Sequence, residues 1–135
     1  KATAPLHQLL VYPVVDNDMT RPSYVTDAAA KPLNKPMMEW FFKHYAADPA
    51  SAMALPLKNA DLKGLPGATI VAAEIDPLTS EGKAYADALK KAGVKVDYKL
   101  YSGVTHEFFG MGAVVPKAKD AEQFAADGLV KAFKK

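Results

Sequence analysis

Cysteine is absent from the chain, so disulfides and thiolate metal sites are excluded and the redox character of its compartment stays open. No apolar run approaches the roughly 20 residues that a membrane-spanning helix needs. Charge of one sign is not concentrated anywhere: 17 Lys and Arg stand against 15 Asp and Glu, a net of +2. A nucleic-acid partner would ordinarily show as a concentrated basic face, and none is offered. Lys131, Lys134 and Lys135 read instead as the solvated last turn of a helix, where cations suit the dipole. The first residues lack the pattern of a secretory signal peptide, which is uninformative if the natural N-terminus is missing; the compartment is unknown, with the cytoplasm only as a default. Internal repeats and low-complexity segments are also missing. What remains is the length of one domain, 135 residues with 50% hydrophobic composition, ample for a core.

Leu9-Leu10-Val11-Tyr12 is an unbroken apolar run stopped by Pro13, which fits a strand covered on both faces of a parallel sheet. His7 and Gln8 before it carry no partner motif and read as strand-leading residues without chemistry. Residues 13–35 form a long irregular passage with several prolines, and Ser23 within it reads as a turn serine. From Pro36 to Tyr45 the spacing of Met37, Trp40, Phe41 and Tyr45 predicts a helix. That stripe either packs on the core or, through Trp40 and Phe41, walls an apolar substrate pocket; His44 reads as a surface residue. Asp48 to Pro66 is again loop-like.

Ala68 to Ala73 predicts a second buried strand. Ser80 and Glu81 then read as the N-cap and first-turn acid of a helix. Its apolar stripe is Ala84, Tyr85, Ala88, Leu89 and Ala92, with Gly93 as terminator. Lys95 to Tyr101 alternates, with Val96, Tyr98 and Leu100 on one face, which suits a strand nearer a sheet edge. Pro116 opens a last helix whose inner face is Ala121, Phe124, Ala125, Gly128, Leu129, Ala132 and Phe133. The order strand, loop, helix, strand, helix, strand, helix predicts an α/β fold of about three parallel strands with flanking helices.

Asp76 ends the second strand and His106 ends the third. Ligand and catalytic crevices form at the carboxyl edge of such sheets, so these two side chains can meet there. A carboxylate that accepts from an imidazole fixes its tautomer and steadies the imidazolium formed in proton transfer. The pair is thus the base half of a nucleophilic machine.

The series Leu10-Val11-Tyr12-Pro13, Met38-Glu39-Trp40-Phe41, Asp61-Leu62-Lys63-Gly64-Leu65-Pro66, Glu74-Ile75-Asp76-Pro77-Leu78, Glu81-Gly82-Lys83-Ala84-Tyr85-Ala86 and Gly103-Val104-Thr105-His106-Glu107-Phe108-Phe109 resembles the C-terminal half of the hormone-sensitive-lipase family of α/β-hydrolase esterases. The resemblance runs over nearly the whole chain and implies that residues 1–135 are the C-terminal portion of a single α/β-hydrolase domain. It implies a carboxylic ester hydrolase with Asp76 as triad acid and His106 as triad base, needing no cofactor and no metal. The family's Gly-x-Ser-x-Gly elbow and His-Gly-Gly-Gly oxyanion loop precede the part matched here. None of Ser23, Ser51, Ser80 and Ser102 has glycines two positions away on both sides, as the elbow requires. The expected partners are therefore a small acyl-ester substrate and the missing N-terminal half, paired along the Leu9–Tyr12 strand, and the isolated chain is expected to be inactive. Two departures stand out: Glu107 replaces the family's glycine after the histidine, and Thr79-Ser80 replaces its Arg-Asp.

Two other readings compete. The chain could be a binding module that kept the fold without the nucleophile, since fold alone does not carry activity. Asp76 with Glu74 could serve aspartyl or metal chemistry, although Thr79 stands one place late for the phosphotransferase spacing, and Glu74 is otherwise structural.

Overall fold

The computed structural model describes residues 3–45 and 48–134; Lys135 lies outside the described residues. The elements run β1 (Gln8–Val11), α1 (Pro22–Thr26), α2 (Lys35–Tyr45), α3 (Pro56–Asn59), β2 (Ala68–Ile75), α4 (Thr79–Lys91), β3 (Val96–Thr105), a 3-10 turn (Phe108–Gly110) and α5 (Pro116–Phe133). The strands form one parallel sheet in the order β1-β2-β3, with Leu10 opposite Ile70 and Ile70 opposite Tyr98.

β2 is the covered strand, and its residues divide between two cores. Ala68 and Ile70 face Tyr85, Ala86 and Leu89 of α4, while Val71 and Ala73 face Ala118 and Ala121 of α5. Alternate side chains of a strand point to opposite faces, so a continuous apolar run is what a sheet between two helices requires. Ile70 and Leu89 are both fully buried, and each such side chain contributes about 1.5–3 kcal/mol. A third small cluster of Tyr24, Leu33, Met38 and Leu78 ties α1 and α2 to the start of α4.

β1 differs from the expected doubly covered strand. It is an edge among the described residues, and all four of its residues are only half-buried. β3 takes the opposite edge, as its alternation predicts, but both its faces are used. Tyr98 packs on the α4 side and Tyr101 on the α5 side, while Leu100 is exposed.

The α4 terminator behaves as expected. Gly93 adopts φ 86°, and the Val94 and Gly93 amides return to the carbonyls of Leu89 and Lys90. Ser80 is not the N-cap: the helix begins at Thr79, so Ser80 is its second residue. α1 and α3 lie inside passages read as loop; at five and four residues, neither is long enough to show a helical period. On α2 the buried residue is Met38, whereas Met37, Trp40, Phe41 and Tyr45 are all exposed, so the aromatic stripe does not pack on the core. Phe133 of α5 is likewise exposed.

Candidate active site

The turn after β2 is made by residues that cannot prolong the strand. The Leu78 amide donates to Asp76 Oδ1 at 2.9 Å, closing an Asx turn, and the Thr79 hydroxyl donates to the Ala73 carbonyl at 2.6 Å. Helix α4 starts at once, which leaves Asp76 buried with its second oxygen unclaimed by the turn. A shift of register between Ala73 and Ile75 carries β3 on to Thr105. Glu74 braces this irregularity by accepting from the Gly103 amide at 2.6 Å, where Gly103 takes φ 65°. The loops after β2 and β3 therefore leave the sheet side by side.

Their side chains meet. His106 Nδ1 donates to Asp76 Oδ2 at 2.7 Å, with the aspartate 1% and the imidazole 17% exposed. Because the carboxylate accepts, the proton sits on Nδ1, and Nε2 is the ring nitrogen left for proton transfer. Tyr12 covers one side of the ring, with centroids 4.3 Å apart at 48°. Its backbone turns out of β1 with φ 35°, a conformation uncommon for an aromatic residue. Burial pushes the Tyr12 phenol up, and the nearby Glu107 and Asp76 charges add to the shift, so it stays neutral. Sequence reasoning had no role for Tyr12 beyond the strand; the only available signal was its place at the strand's carboxyl end.

Glu107 takes φ 69°. The glycine expected after the histidine would sit there without strain, whereas a side chain does not.

Helix α4 also carries a buried carboxylate, Glu81, that the sequence presents as an ordinary first-turn acid. Glu81 is fully buried; it accepts from the Val15 amide at 2.7 Å, the Asp16 amide at 3.2 Å and the Tyr24 hydroxyl at 3.2 Å. Burial drives its pKa up to about 7 despite these donors. Asp16 is held in turn by the Arg21 guanidinium.

His106 opens onto a cleft of about 640 Å³, walled by Phe41, Phe42, Met38, Leu33, Leu78 and Tyr12, with His44 and Tyr45 at its side. Phe41 lies in this wall. Trp40 does not: it is one position round the helix, edge-on to Phe41 at 5.3 Å and stacked on His44 at 4.1 Å. His44, read as a plain surface residue, is exposed but belongs to the wall, its Nδ1 bonded to the Trp40 carbonyl at 2.8 Å. His7 reaches the buried Thr69 hydroxyl at 2.9 Å, at the far end of β2 from Asp76. Glu74 is occupied by Gly103, and among the described residues no group of three or more His, Asp or Glu side chains is arranged to hold a metal ion.

A parallel sheet between helices, with an aspartate and a histidine bonded across two consecutive strand ends, is the architecture of an α/β-hydrolase fold. The comparisons agree. The family described as alpha/beta hydrolase fold matches residues 1–110. An ethyl acetate hydrolase of Pseudomonas putida is 34% identical over 129 residues, covering 93% of this chain and 41% of that protein. Carboxylesterase NlhH of Mycobacterium tuberculosis is 37% identical over 120 residues, 84% of this chain and 38% of that protein. Among solved structures, a hyperthermophilic esterase from the archaeon Pyrobaculum calidifontis superposes with a TM-score of 0.84 at 34% identity, covering 93% of this chain and 43% of that one. The chain belongs to the α/β-hydrolase family, in the hormone-sensitive-lipase group of esterases that its motifs resemble. It spans about two-fifths of the length of the curated relatives it matches.

Proposed function

We propose that this chain supplies the acid and base of a serine carboxylic ester hydrolase, Asp76 and His106, to a nucleophile carried on polypeptide outside these 135 residues. The observation that carries the reading is the 2.7 Å bond between Asp76 and His106 beside an apolar cleft. A serine hydroxyl attacks the ester carbonyl while His106 Nε2 takes its proton, and Asp76 stabilises the imidazolium. Collapse of the tetrahedral adduct breaks the ester C–O bond, and the histidine returns the proton to the departing alkoxide. Water, deprotonated by the same nitrogen, then cleaves the acyl-enzyme to the carboxylic acid and frees the serine.

None of the chain's own serines lies in the cleft wall. Ser23 is bonded to the Pro77 carbonyl and Ser51 to the Ala54 amide, while Ser80 receives the Ser23 amide and Ser102 a lysine ammonium. By itself the chain has a base, an acid and a pocket wall, which fits a module that needs a complementing segment to act. His106→Ala, in the protein assembled with its serine, is expected to lower turnover of p-nitrophenyl esters by roughly 10³ or more. Hydrolysis close to that of the unsubstituted protein would remove the esterase reading.

A further inference from the structure

Ser23 is 5% exposed, on a five-residue helix distant in sequence from both Asp76 and His106. Its hydroxyl donates to the Pro77 carbonyl oxygen at 2.5 Å and accepts from the Ser80 amide at 3.0 Å. Its own amide donates to the Ser80 hydroxyl oxygen at 3.0 Å, so the two serines clamp α1 to the first turn of α4 from both sides. The carbonyl that Ser23 holds belongs to the Pro77–Leu78 peptide. The N–H of that same peptide is the donor to Asp76 Oδ1 at 2.9 Å. A peptide unit is planar, so fixing its oxygen fixes the direction of its N–H. A bond to the carbonyl also polarises the peptide and strengthens the N–H as a donor.

We propose that Ser23 is a positioning residue for the Asp76–His106 pair, acting through the Pro77–Leu78 peptide in an unbroken chain of hydrogen bonds from its hydroxyl to the imidazole. The chain runs Ser23 Oγ–H to Pro77 O, Leu78 N–H to Asp76 Oδ1, and His106 Nδ1–H to Asp76 Oδ2. One carboxylate oxygen is pinned so that the other points at the ring. Without the hydroxyl the peptide plane is free to rotate, Oδ1 loses its donor, and the imidazole is no longer held in one tautomer. The inference rests on reading Asp76 and His106 as acid and base, and it concerns geometry rather than turnover.

The test is ring ¹⁵N NMR of His106 in the 135-residue chain, at a pH where the imidazole is neutral. The unmodified chain and Ser23→Thr, which keeps the hydroxyl, are expected to show the Nδ1–H tautomer. Ser23→Ala is expected to give a mixture containing the Nε2–H form, which free imidazoles favour. Ser23→Cys fills the space with only a weak donor and is expected to do the same, which covers the case in which the alanine variant does not fold. Tyr24→Phe, which loosens the same helix by removing the bond to Glu81, is expected to leave the tautomer unchanged. Retention of the Nδ1–H form in the folded alanine or cysteine variant overturns the role of Ser23 alone. Its absence from the unmodified chain overturns the Asp76–His106 pair and, with it, this inference.

Discussion

At position 107 the backbone holds a left-handed conformation, φ 69°, that costs an L-residue roughly 1–2 kcal/mol. Glycine would avoid that cost but loses about 0.5–1 kcal/mol more entropy on folding. Glu107→Gly is therefore expected to stabilise the chain by about 0.5–1 kcal/mol in urea melts, whereas Glu107→Ala should bring no gain. Equal midpoints for the glycine variant and the unmodified chain would show that the loop is not strained. Glu81 makes the complementary case, in which the side chain carries the cost. Its pKa is about 7 when folded, against an ordinary 4.5. Below pH 4.5 it is protonated in both states and contributes no penalty. As pH rises from 4.5 to 7 the unfolded chain releases its proton first, so stability falls by an amount of about 3 kcal/mol, then levels off. Glu81→Gln keeps an acceptor for the Val15 and Asp16 amides and has no proton to lose. Urea melts at pH 4, 5.5 and 8 are expected to show a flatter profile for the variant; parallel profiles would refute the assignment. Asp76 and His106 could be singled out in the sequence because each follows a strand-like run with an ionisable side chain. Glu81 could not, because its partners lie some 65 residues away and Ser80-Glu81 looks like any helix start.

The long elements show in the sequence wherever one physical requirement dominates. β2 reads as a strand because both its faces are covered, and α4 and α5 read as helices because each has one inner face and a terminator or an opening proline. α2 breaks the rule that apolar spacing marks the core, because Phe41 and Tyr45 of its stripe line the cleft and Trp40 lies outside both cleft and core, leaving Met38 as the one buried residue. The packing of α5 on the sheet depends on Gly128. A Cβ there would stand 2.1 Å from Thr69 Oγ1 and 3.0 Å from Thr69 Cβ, and that hydroxyl is already bonded to His7. Gly128→Ala should gain up to about 1 kcal/mol in helix propensity but lose more to overpacking, typically about 1–3 kcal/mol, for a net loss of stability. Thr69→Ala removes the atom nearest the clash. The double variant is expected to be more stable than the sum of the two single changes implies, a coupling that a double-mutant cycle measures directly. Strict additivity would mean that the helix shifts rather than clashes.

For the molecule as a whole, the decisive feature is the outer side of β1. In a parallel ladder alternate residues bond to opposite neighbours. The Gln8 and Tyr12 amides already reach the Gly67 and Val71 carbonyls of the β2 side, at 2.8 and 2.7 Å. By that alternation the backbone groups of Leu9 and Val11 face away from β2, along an edge whose side chains are half-buried. An open edge of this kind is a template for another strand. The proposed nucleophile-bearing segment has to reach His106, and β1 leads directly into Tyr12, whose ring lies against that imidazole. A strand added alongside β1 would therefore end next to the base, where the serine is needed. Mixing the chain with a separately produced polypeptide containing the Gly-x-Ser-x-Gly half is expected to produce ester hydrolysis that neither part shows alone. Hydrogen exchange should then register new protection at the Leu9 and Val11 amides, while Leu10 and Tyr12, already bonded to β2, change little. Activity from the 135-residue chain alone would defeat the split of labour proposed here. Activity on mixing without protection at Leu9 and Val11 would keep the esterase but move the junction away from this edge.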